Sequence, residues 1–180
     1  MIINPKIITS SLFPDQIIPE KNIQPNGIDF NLDRVFKLVQ TPGIVPSLSE
    51  EGKTFFNLQE ILPDSEDYFV FEPNVVYDCS SVQHVTIDEG VASILLIRST
   101  VNRLGMVLSA GLYDTSFNGA IGFTLCSRVG PVRIKKGTRV GQIVTWAAVN
   151  NGMYSGGYNH KQGSTWFGPY AEMDCAMESK

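Results

Sequence analysis

The chain has 180 residues, of which 43% are hydrophobic and 18% charged, and its formal net charge is -4 at pH 7. This composition is typical of a globular protein, and the acidic balance argues against a nucleic-acid-binding surface, which needs clustered Lys and Arg. No apolar run approaches the roughly 20 residues that span a bilayer, and the amino terminus lacks the pattern of a signal peptide. We therefore expect a cytoplasmic protein that binds neither nucleic acid nor membrane.

The amino-terminal half changes from proline-rich segments to strand-like ones. Four prolines in the first 25 residues restrict any helix there to a short one. From residue 28, IDFNLDRVF alternates apolar and polar side chains with period two, which indicates a half-buried strand. FFNLQEIL fits one or two helical turns, and VVYDCSSVQHVTI returns to alternation.

The second half continues with strands and ends in a segment of different composition. VASILLIRS is a continuous apolar run, which predicts a strand covered on both faces. MVLSAGLYD and AIGFTLCSRV resemble the two strands of a hairpin around TSFNG, and VRIKKGTRVGQIVTW places a Lys-Gly turn between two more strands. Short strands at a spacing of about 8–12 residues predict an all-β sandwich or barrel with few short helices. We expect a β domain over residues 1–150 and a flexible arm over 151–180, whose glycines and aromatic residues, Tyr154 among them, suit a lid over a flat ligand.

Several common chemistries lack their sequence signatures. The three cysteines are widely spaced without a CxxC pair, which predicts reduced thiols. His84 and His160 have no Cys or carboxylate partners at metal-ligand spacing, which argues against a zinc enzyme. GxGxxG, GxxxxGK[ST] and GxSxG are absent from the sequence, so the common dinucleotide, P-loop and serine-hydrolase interpretations are excluded.

Polar residues that interrupt the apolar strands are the remaining candidates. A lone arginine at a strand end is commonly solvated or ion-paired, and a lone aspartate before TSFNG is commonly a turn residue. Taken together, these residues suggest phosphate binding and activation of water. An arginine beside two hydroxyl groups offers donors for phosphate oxygens, and a carboxylate in a partly desolvated hairpin can orient or deprotonate a water molecule. These candidates are Arg98, Ser99, Thr100, Arg103, Asp114, Arg139 and Gln142.

At these residues the sequence resembles the family of trimeric dUTPases and dCTP deaminases. NIQPNGIDFNL, IRSTVNRLG, AGLYDTSFNGAIGFTL and GTRVGQIV are similar to four of its segments, in family order, between about residues 22 and 145. YNHKQGS is similar to the carboxy-terminal arm of the deaminase branch. The resemblance implies a jelly-roll-like β domain that assembles as a homotrimer and binds a deoxynucleoside triphosphate.

The resemblance also implies a role for each matching residue. Asp114 falls on the carboxylate that, in dUTPases, activates the water attacking the α-phosphorus of dUTP, with release of dUMP and pyrophosphate. Phe117 falls on the aromatic residue that packs on the deoxyribose. The backbone of Leu108, Ser109 and Ala110 falls on the hairpin that pairs with the pyrimidine edge.

The triphosphate is implied to lie on a second set of residues. Arg98, Ser99, Thr100 and Gln142 align with its binding positions, and Gln142 and Arg103 join Asp114 as implied catalytic residues. We expect Mg²⁺ to bind mainly through the triphosphate, since no carboxylate cluster suggests a cage made of protein alone. The arm would close over the nucleotide through Tyr158, Lys161 and Gln162, while Asp29 and Arg139 would support the site.

One position separates the two branches of the family. Where the deaminases carry a glutamate that activates water against the ring, this chain has Thr124. A threonine hydroxyl cannot hold a proton taken from water, so we expect dUTP hydrolysis without deamination. The alternatives are a pyrophosphatase for dCTP or a modified base, a dCTP deaminase whose glutamate is replaced from elsewhere, and a nucleotide-binding regulator without turnover.

Overall fold

The computed structural model describes residues 1–49, 53–149 and 152–154. Helix α1 (Pro5–Leu12) begins with a proline, and the Asn4 side chain caps it by accepting a hydrogen bond from the Lys6 amide at 3.0 Å. A 3₁₀ turn covers Glu20–Asn22, and helix α2 (Ser99–Arg103) follows the strand at Val91–Ile97. Within the described ranges, no helix has the length and hydropathy to cross a membrane.

Twelve strands make up the rest of the secondary structure that the described residues contain. In chain order they are β1 (Ile28–Val39), β2 (Ser47–Leu48), β3 (Lys53–Thr54), β4 (Asn57–Ile61), β5 (Tyr68–Phe71), β6 (Val76–Thr86), β7 (Val91–Ile97), β8 (Met106–Ser109), β9 (Leu112–Tyr113), β10 (Asn118–Ser127), β11 (Val132–Lys135) and β12 (Arg139–Ala147).

Eight of these strands form one curled sheet in the order β8-β10-β6-β1-β12-β7-β9, with β4 attached to β1. Strand β1 curls the sheet because its first residues pair with β12, whereas its later residues pair with β6 and β4. The register shifts between Phe30 and Asn31 and again after Leu32, at the point where the partners change. Two small sheets, β5 with β11 and β2 with β3, complete the fold.

Strand β12 crosses β1 at close range over the core. Gly141 lies opposite Phe30, and a Cβ atom at Gly141 would lie 2.3 Å from the Phe30 ring. The same phenylalanine packs against Phe123 of β10, with ring centroids 5.0 Å apart. The glycine at position 141 in GTRVGQIV is therefore required by packing, since any side chain there would collide with Phe30. Phe30 in turn belongs to the part of the core that packs against strand β10.

The predicted all-β class is confirmed, and most of the predicted strands are found. Three predictions about individual elements are wrong. FFNLQEIL contains strand β4 rather than helical turns, because residues 57–61 pair with β1, from Asn57 opposite Val39 to Ile61 opposite Val35. MVLSAGLYD is two strands, since β8 pairs with β10 while β9 pairs with β7.

The third concerns strand β7, which is not covered on both faces. Ile94 and Leu96 are 37% and 48% exposed, while Ala92 and Leu95 of the same strand are buried. Cys79 and Cys126, by contrast, are free thiols as predicted, and both are buried. One face of β7 is therefore an apolar surface in the single chain.

Candidate active site

A cavity of about 490 Å³ opens where β6, β8, β9 and β10 meet. Its wall is mostly apolar side chains and backbone, and Asp78 is the one residue with a carboxyl group among the described residues that line it. The lining residues are Leu38, Asp78, Ser109, Ala110, Gly111, Leu112, Tyr113, Phe117, Ala120, Gly122, Phe123, Thr124 and Tyr154.

The break between β8 and β9 supplies one side of this cavity. Strand β8 ends at Ser109, which pairs with Thr124 of β10, and β9 begins at Leu112, which pairs with β7. Ala110 and Gly111 lie between them, and neither belongs to the described ladders. Because the chain leaves one ladder before it joins the next, its backbone is presented to the cavity.

Three aromatic residues form a second wall. The Phe117 ring packs edge-on against Tyr113 and Tyr154, with centroid separations of 4.9 and 5.7 Å. The Tyr113 hydroxyl donates to the Gly122 carbonyl at 2.7 Å and accepts from the Gly122 amide at 2.9 Å. The Tyr154 amide donates to the Thr115 carbonyl at 2.8 Å. These bonds hold the aromatic wall against the strands, at a position where it can cover a flat ring.

Asp114 lies on the rim of the cavity, between Tyr113 and the turn that leads to Phe117. Its side chain is exposed and does not line the cavity, and its carbonyl accepts a hydrogen bond from the Phe117 amide at 3.1 Å. Ser116 completes the turn with a φ of 69°. Asp114 is thus a turn residue, and the same turn fixes it next to the aromatic wall.

Asp78 lines the cavity from strand β6 and is half-buried. It is directly opposite Thr124 on β10 and Phe36 on β1, so these side chains share one face of the sheet. Burial raises the pKa of the Asp78 carboxyl from 3.8 to about 7, and a hydrogen bond from the Cys79 backbone opposes that shift. This carboxyl group therefore changes its protonation near neutral pH.

A second polar cluster surrounds Asp29 at the start of β1. Asp29 is 1% exposed, and its Oδ2 lies 3.2 Å from Arg98 Nε and 3.1 Å from Arg139 Nη1. Burial raises the pKa of Asp29, and the two guanidinium groups act against that rise. Arg139 also donates to the Lys21 carbonyl. The cluster therefore joins β1, β12 and the residue after β7.

The residues predicted to bind phosphate, and Arg103, which was predicted to be catalytic, include Arg98 of this second cluster and four residues that follow it in the chain or in the sheet. Gln142 lies opposite Asp29 in the β1–β12 ladder. Ser99 and Thr100 begin α2 directly after Arg98, and Arg103 ends it, all three exposed. None of these five lines the cavity of the described chain. The single chain thus has one set of predicted residues at the cavity and the other set outside its lining.

The remaining predicted residues divide into three groups. Ser109, Ala110 and Phe117 line the cavity, whereas Leu108 does not and packs partly buried against the core. Thr124 lines it too, and its hydroxyl lies 3.5 Å from the Ser109 carbonyl. Of the predicted arm, Tyr154 belongs to the cavity wall; Tyr158, Lys161 and Gln162 lie outside the described residues.

Sequence reasoning did not identify Asp78 or Tyr113 as part of the site. In VVYDCSSVQHVTI, Asp78 occupies the polar phase of an alternating strand, which normally faces water. The only signal was that Asp78 follows the buried Tyr77 by one residue, so that it faces away from the core on the same side as the cavity.

Known proteins similar to this chain are nucleotide enzymes. A family model described as dCTP deaminase-like matches residues 6–148. A probable deoxyuridine 5'-triphosphate nucleotidohydrolase of Methanopyrus kandleri is 35% identical over 152 residues, which are 84% of this chain and 95% of that protein. A dUMP-forming dCTP deaminase of Thermobifida fusca is 30% identical over 128 residues, which are 67% of this chain and 63% of that protein.

A solved structure is similar in fold. The 2'-deoxycytidine 5'-triphosphate deaminase from Agrobacterium tumefaciens matches with a TM-score of 0.61 at 16% sequence identity. The match covers 82% of this chain and 48% of the other, so this chain corresponds to about half of that protein.

Proposed function

The chain belongs to the dCTP deaminase-like family, and from that premise we propose that it hydrolyses dUTP to dUMP and pyrophosphate. The observation that carries the proposal is the cavity between Ala110 and Phe117, with exposed Asp114 on its rim. Its backbone side, its aromatic wall and a volume of about 490 Å³ suit a pyrimidine nucleoside. The archaeal relative named a probable dUTP nucleotidohydrolase supports the same reaction.

In this proposal the cavity binds the nucleoside. The backbone at Ser109, Ala110 and Gly111 pairs with the polar edge of the base, because N–H and C=O groups next to a strand end can match its donors and acceptors. Phe117 packs on the deoxyribose. Since Phe117 is itself held between Tyr113 and Tyr154, it has little room to move away from an added hydroxyl group.

Asp114 acts as the general base. Its carboxylate accepts a proton from the water that attacks the α-phosphorus, and the bond to the pyrophosphate leaving group then breaks. The turn that links the Asp114 carbonyl to the Phe117 amide keeps the base at a fixed distance from the ring that packs on the sugar. Water activation and sugar binding are coupled by this short segment.

The triphosphate binds to Arg98, Ser99, Thr100 and Gln142, and Arg103 assists catalysis beside them. Because these residues do not line the cavity of their own chain, we propose that those of one copy serve the cavity of another in a homotrimer. The exposed apolar side chains of β7 and β9 support this assembly, since Ile94, Leu96 and Leu112 are 37%, 48% and 53% exposed. A jelly-roll-like core in each subunit agrees with the curled sheet.

We propose Mg²⁺ as the metal, held by triphosphate oxygens. Within the described ranges, no group of three or more His, Cys, Asp or Glu side chains could hold an ion. The donors of a bound ion would therefore come from the nucleotide and water, which suits a cation that keeps much of its hydration shell. When bound, the ion would reduce the negative charge that the attacking water meets.

Release of pyrophosphate and ammonia from dUTP, dCTP and dTTP tests the proposal. We expect pyrophosphate from dUTP and no ammonia from dCTP, since Thr124 cannot accept a proton from water. Pyrophosphate released from another nucleotide and not from dUTP would show that the substrate carries a different base. Ammonia from dCTP would identify a deaminase, and nucleotide binding without either product would indicate a regulator.

A further inference from the structure

Asp78 belongs to a row of side chains that crosses four strands on the cavity face of the sheet. Phe36 on β1, Asp78 on β6, Thr124 on β10 and Ser109 on β8 lie opposite one another in successive ladders. Opposed residues of antiparallel strands point to the same side. Three of the four line the cavity, and Asp78 is the one with an ionisable side chain.

None of the described residues that line the cavity with Asp78 has a cationic side chain. Phe36 and Ser109, presented by β1 and β8, do not titrate near neutral pH. On the neighbouring position of β1, Lys37 Nζ instead contacts Glu72 at 2.9 Å. Cys79 and Tyr113 are titratable groups that interact with Asp78, and burial raises the pKa values of the Cys79 thiol and the Tyr113 hydroxyl above their ordinary ranges. Tyr154 lines the same cavity.

We propose, on the premise of the nucleotide-binding function above, that Asp78 determines which base the cavity accepts. The ionised carboxylate can only accept hydrogen bonds, so it favours a base that offers an exocyclic amino group, such as cytosine. The neutral carboxyl also donates, so it can pair with the carbonyl oxygen of an oxo-substituted base such as uracil. The base whose edge does not match leaves a buried polar group unpaired.

This choice of base depends on pH within the neutral range. Burial places the pKa of Asp78 at about 7 in the free protein. Below that pH the carboxyl is neutral and accepts either base; above it, binding of an oxo-substituted base requires the carboxylate to take up a proton first. The affinity for the cytosine nucleotide relative to the uracil nucleotide therefore rises as pH increases through the pKa.

Binding of α,β-imido-dUTP and α,β-imido-dCTP at pH 6 and pH 8 tests the proposal without turnover. The ratio of the two dissociation constants removes every effect that the nucleotides share, including ionisation of their phosphates and of Asp114. We expect the ratio to shift toward the cytosine nucleotide by about tenfold between the two pH values. In Asp78→Asn we expect the same ratio at both, because the amide does not titrate.

Asp88→Asn is the matched control, since Asp88 is exposed and does not line the cavity. It should retain the shift of the wild-type protein. A wild-type ratio that does not change with pH, or an equal shift in Asp78→Asn, would overturn the role of Asp78 while leaving nucleotide hydrolysis intact. Failure of the wild-type protein to bind either nucleotide would overturn both proposals.

Discussion

Two carboxyl groups on neighbouring strands of one sheet, Asp29 on β1 and Asp78 on β6, lie in different surroundings, and Asp29 is fully buried whereas Asp78 is half-buried. Asp29 has two arginine side chains within 3.2 Å, which balance its charge inside the chain. Asp78 faces a cavity whose described lining contains no cation. A buried charge normally needs a partner, so a carboxyl group without one is either neutral or faces a ligand. The difference separates a group that supports the fold from one available to a ligand.

Substitution of Asp114, which is exposed on the rim of the cavity, should have the largest effect on turnover. Asp114→Asn should lower kcat by about 10²–10⁴, because an amide cannot accept the proton of the attacking water. Thermal unfolding should change little, since the side chain is exposed. Steady-state pyrophosphate release and a melting curve measure the two effects, with Asp88→Asn as the control. Turnover close to that of the wild-type protein in a folded Asp114→Asn would remove Asp114 as the base.

Substitution of Asp29, by contrast, should mainly lower the stability of the protein. Asp29→Asn leaves Arg98 and Arg139 without their shared anion, and we expect the free energy of unfolding to fall by about 3 kcal/mol. Asp33→Asn on the same strand is the matched control, because Asp33 and Lys136 form a partly exposed pair at 3.1 Å, which contributes little. Urea denaturation compares them. Equal losses of stability in both variants would show that the buried ion pairs of Asp29 stabilise the protein no more than the Asp33 pair does.

Asp78→Asn should stabilise the protein above neutral pH. The unfolded carboxyl ionises near 3.8 and the folded one near 7, so between these values the folded state retains a proton that the unfolded state releases. The free energy of unfolding of the wild-type protein therefore falls as pH rises through this range. We expect the variant to be more stable by about 2 kcal/mol at pH 8, which is about half of what the full pKa difference implies because the half-buried side chain keeps some contact with water, and by much less at pH 4.

Urea denaturation of wild-type protein and Asp78→Asn across this pH range measures the difference. Asp88→Asn should show no comparable gain at pH 8. A constant difference between Asp78→Asn and the wild-type protein from pH 4 to pH 8 would mean that the Asp78 carboxyl has the same pKa in the folded and unfolded states, so that burial does not penalise its ionised form.

The strands were predictable where alternation alone determines the structure, as in β1 and β6. β4 was not, because the apolar residues of FFNLQEIL fit a helical spacing as well as a strand that pairs with a distant segment. The exposed face of β7 was also missed, since the sequence of an apolar strand does not reveal whether its own chain covers it.

The candidate site was predictable where a motif marks it. Phe117, Ser109 and Ala110 were identified in this way, and they line the cavity. Asp78 has no motif, and its polar phase in an alternating strand is typical of a solvent-facing residue. Only the position of β10 beside β6 makes that face the inside of a cavity. Long-range pairing of this kind is not encoded in local pattern.

The smallest effect that we predict concerns the Tyr113 hydroxyl, which connects the aromatic wall to the strand next to Asp78. Strand β8 ends at Ser109, so Gly122 lies beyond the last β8–β10 pair, and Tyr113 provides both a donor and an acceptor for its backbone. Tyr113→Phe should lower the free energy of unfolding by about 1 kcal/mol, because two hydrogen bonds are lost and the Gly122 groups must find water in a partly open cavity. Tyr68→Phe is the control, since the Tyr68 ring lies under Arg133 away from the cavity. Urea denaturation gives the stabilities, and nucleotide affinity should weaken only in Tyr113→Phe as the wall loosens. Equal behaviour of the two variants would mean that the hydroxyl does not hold the cavity in shape.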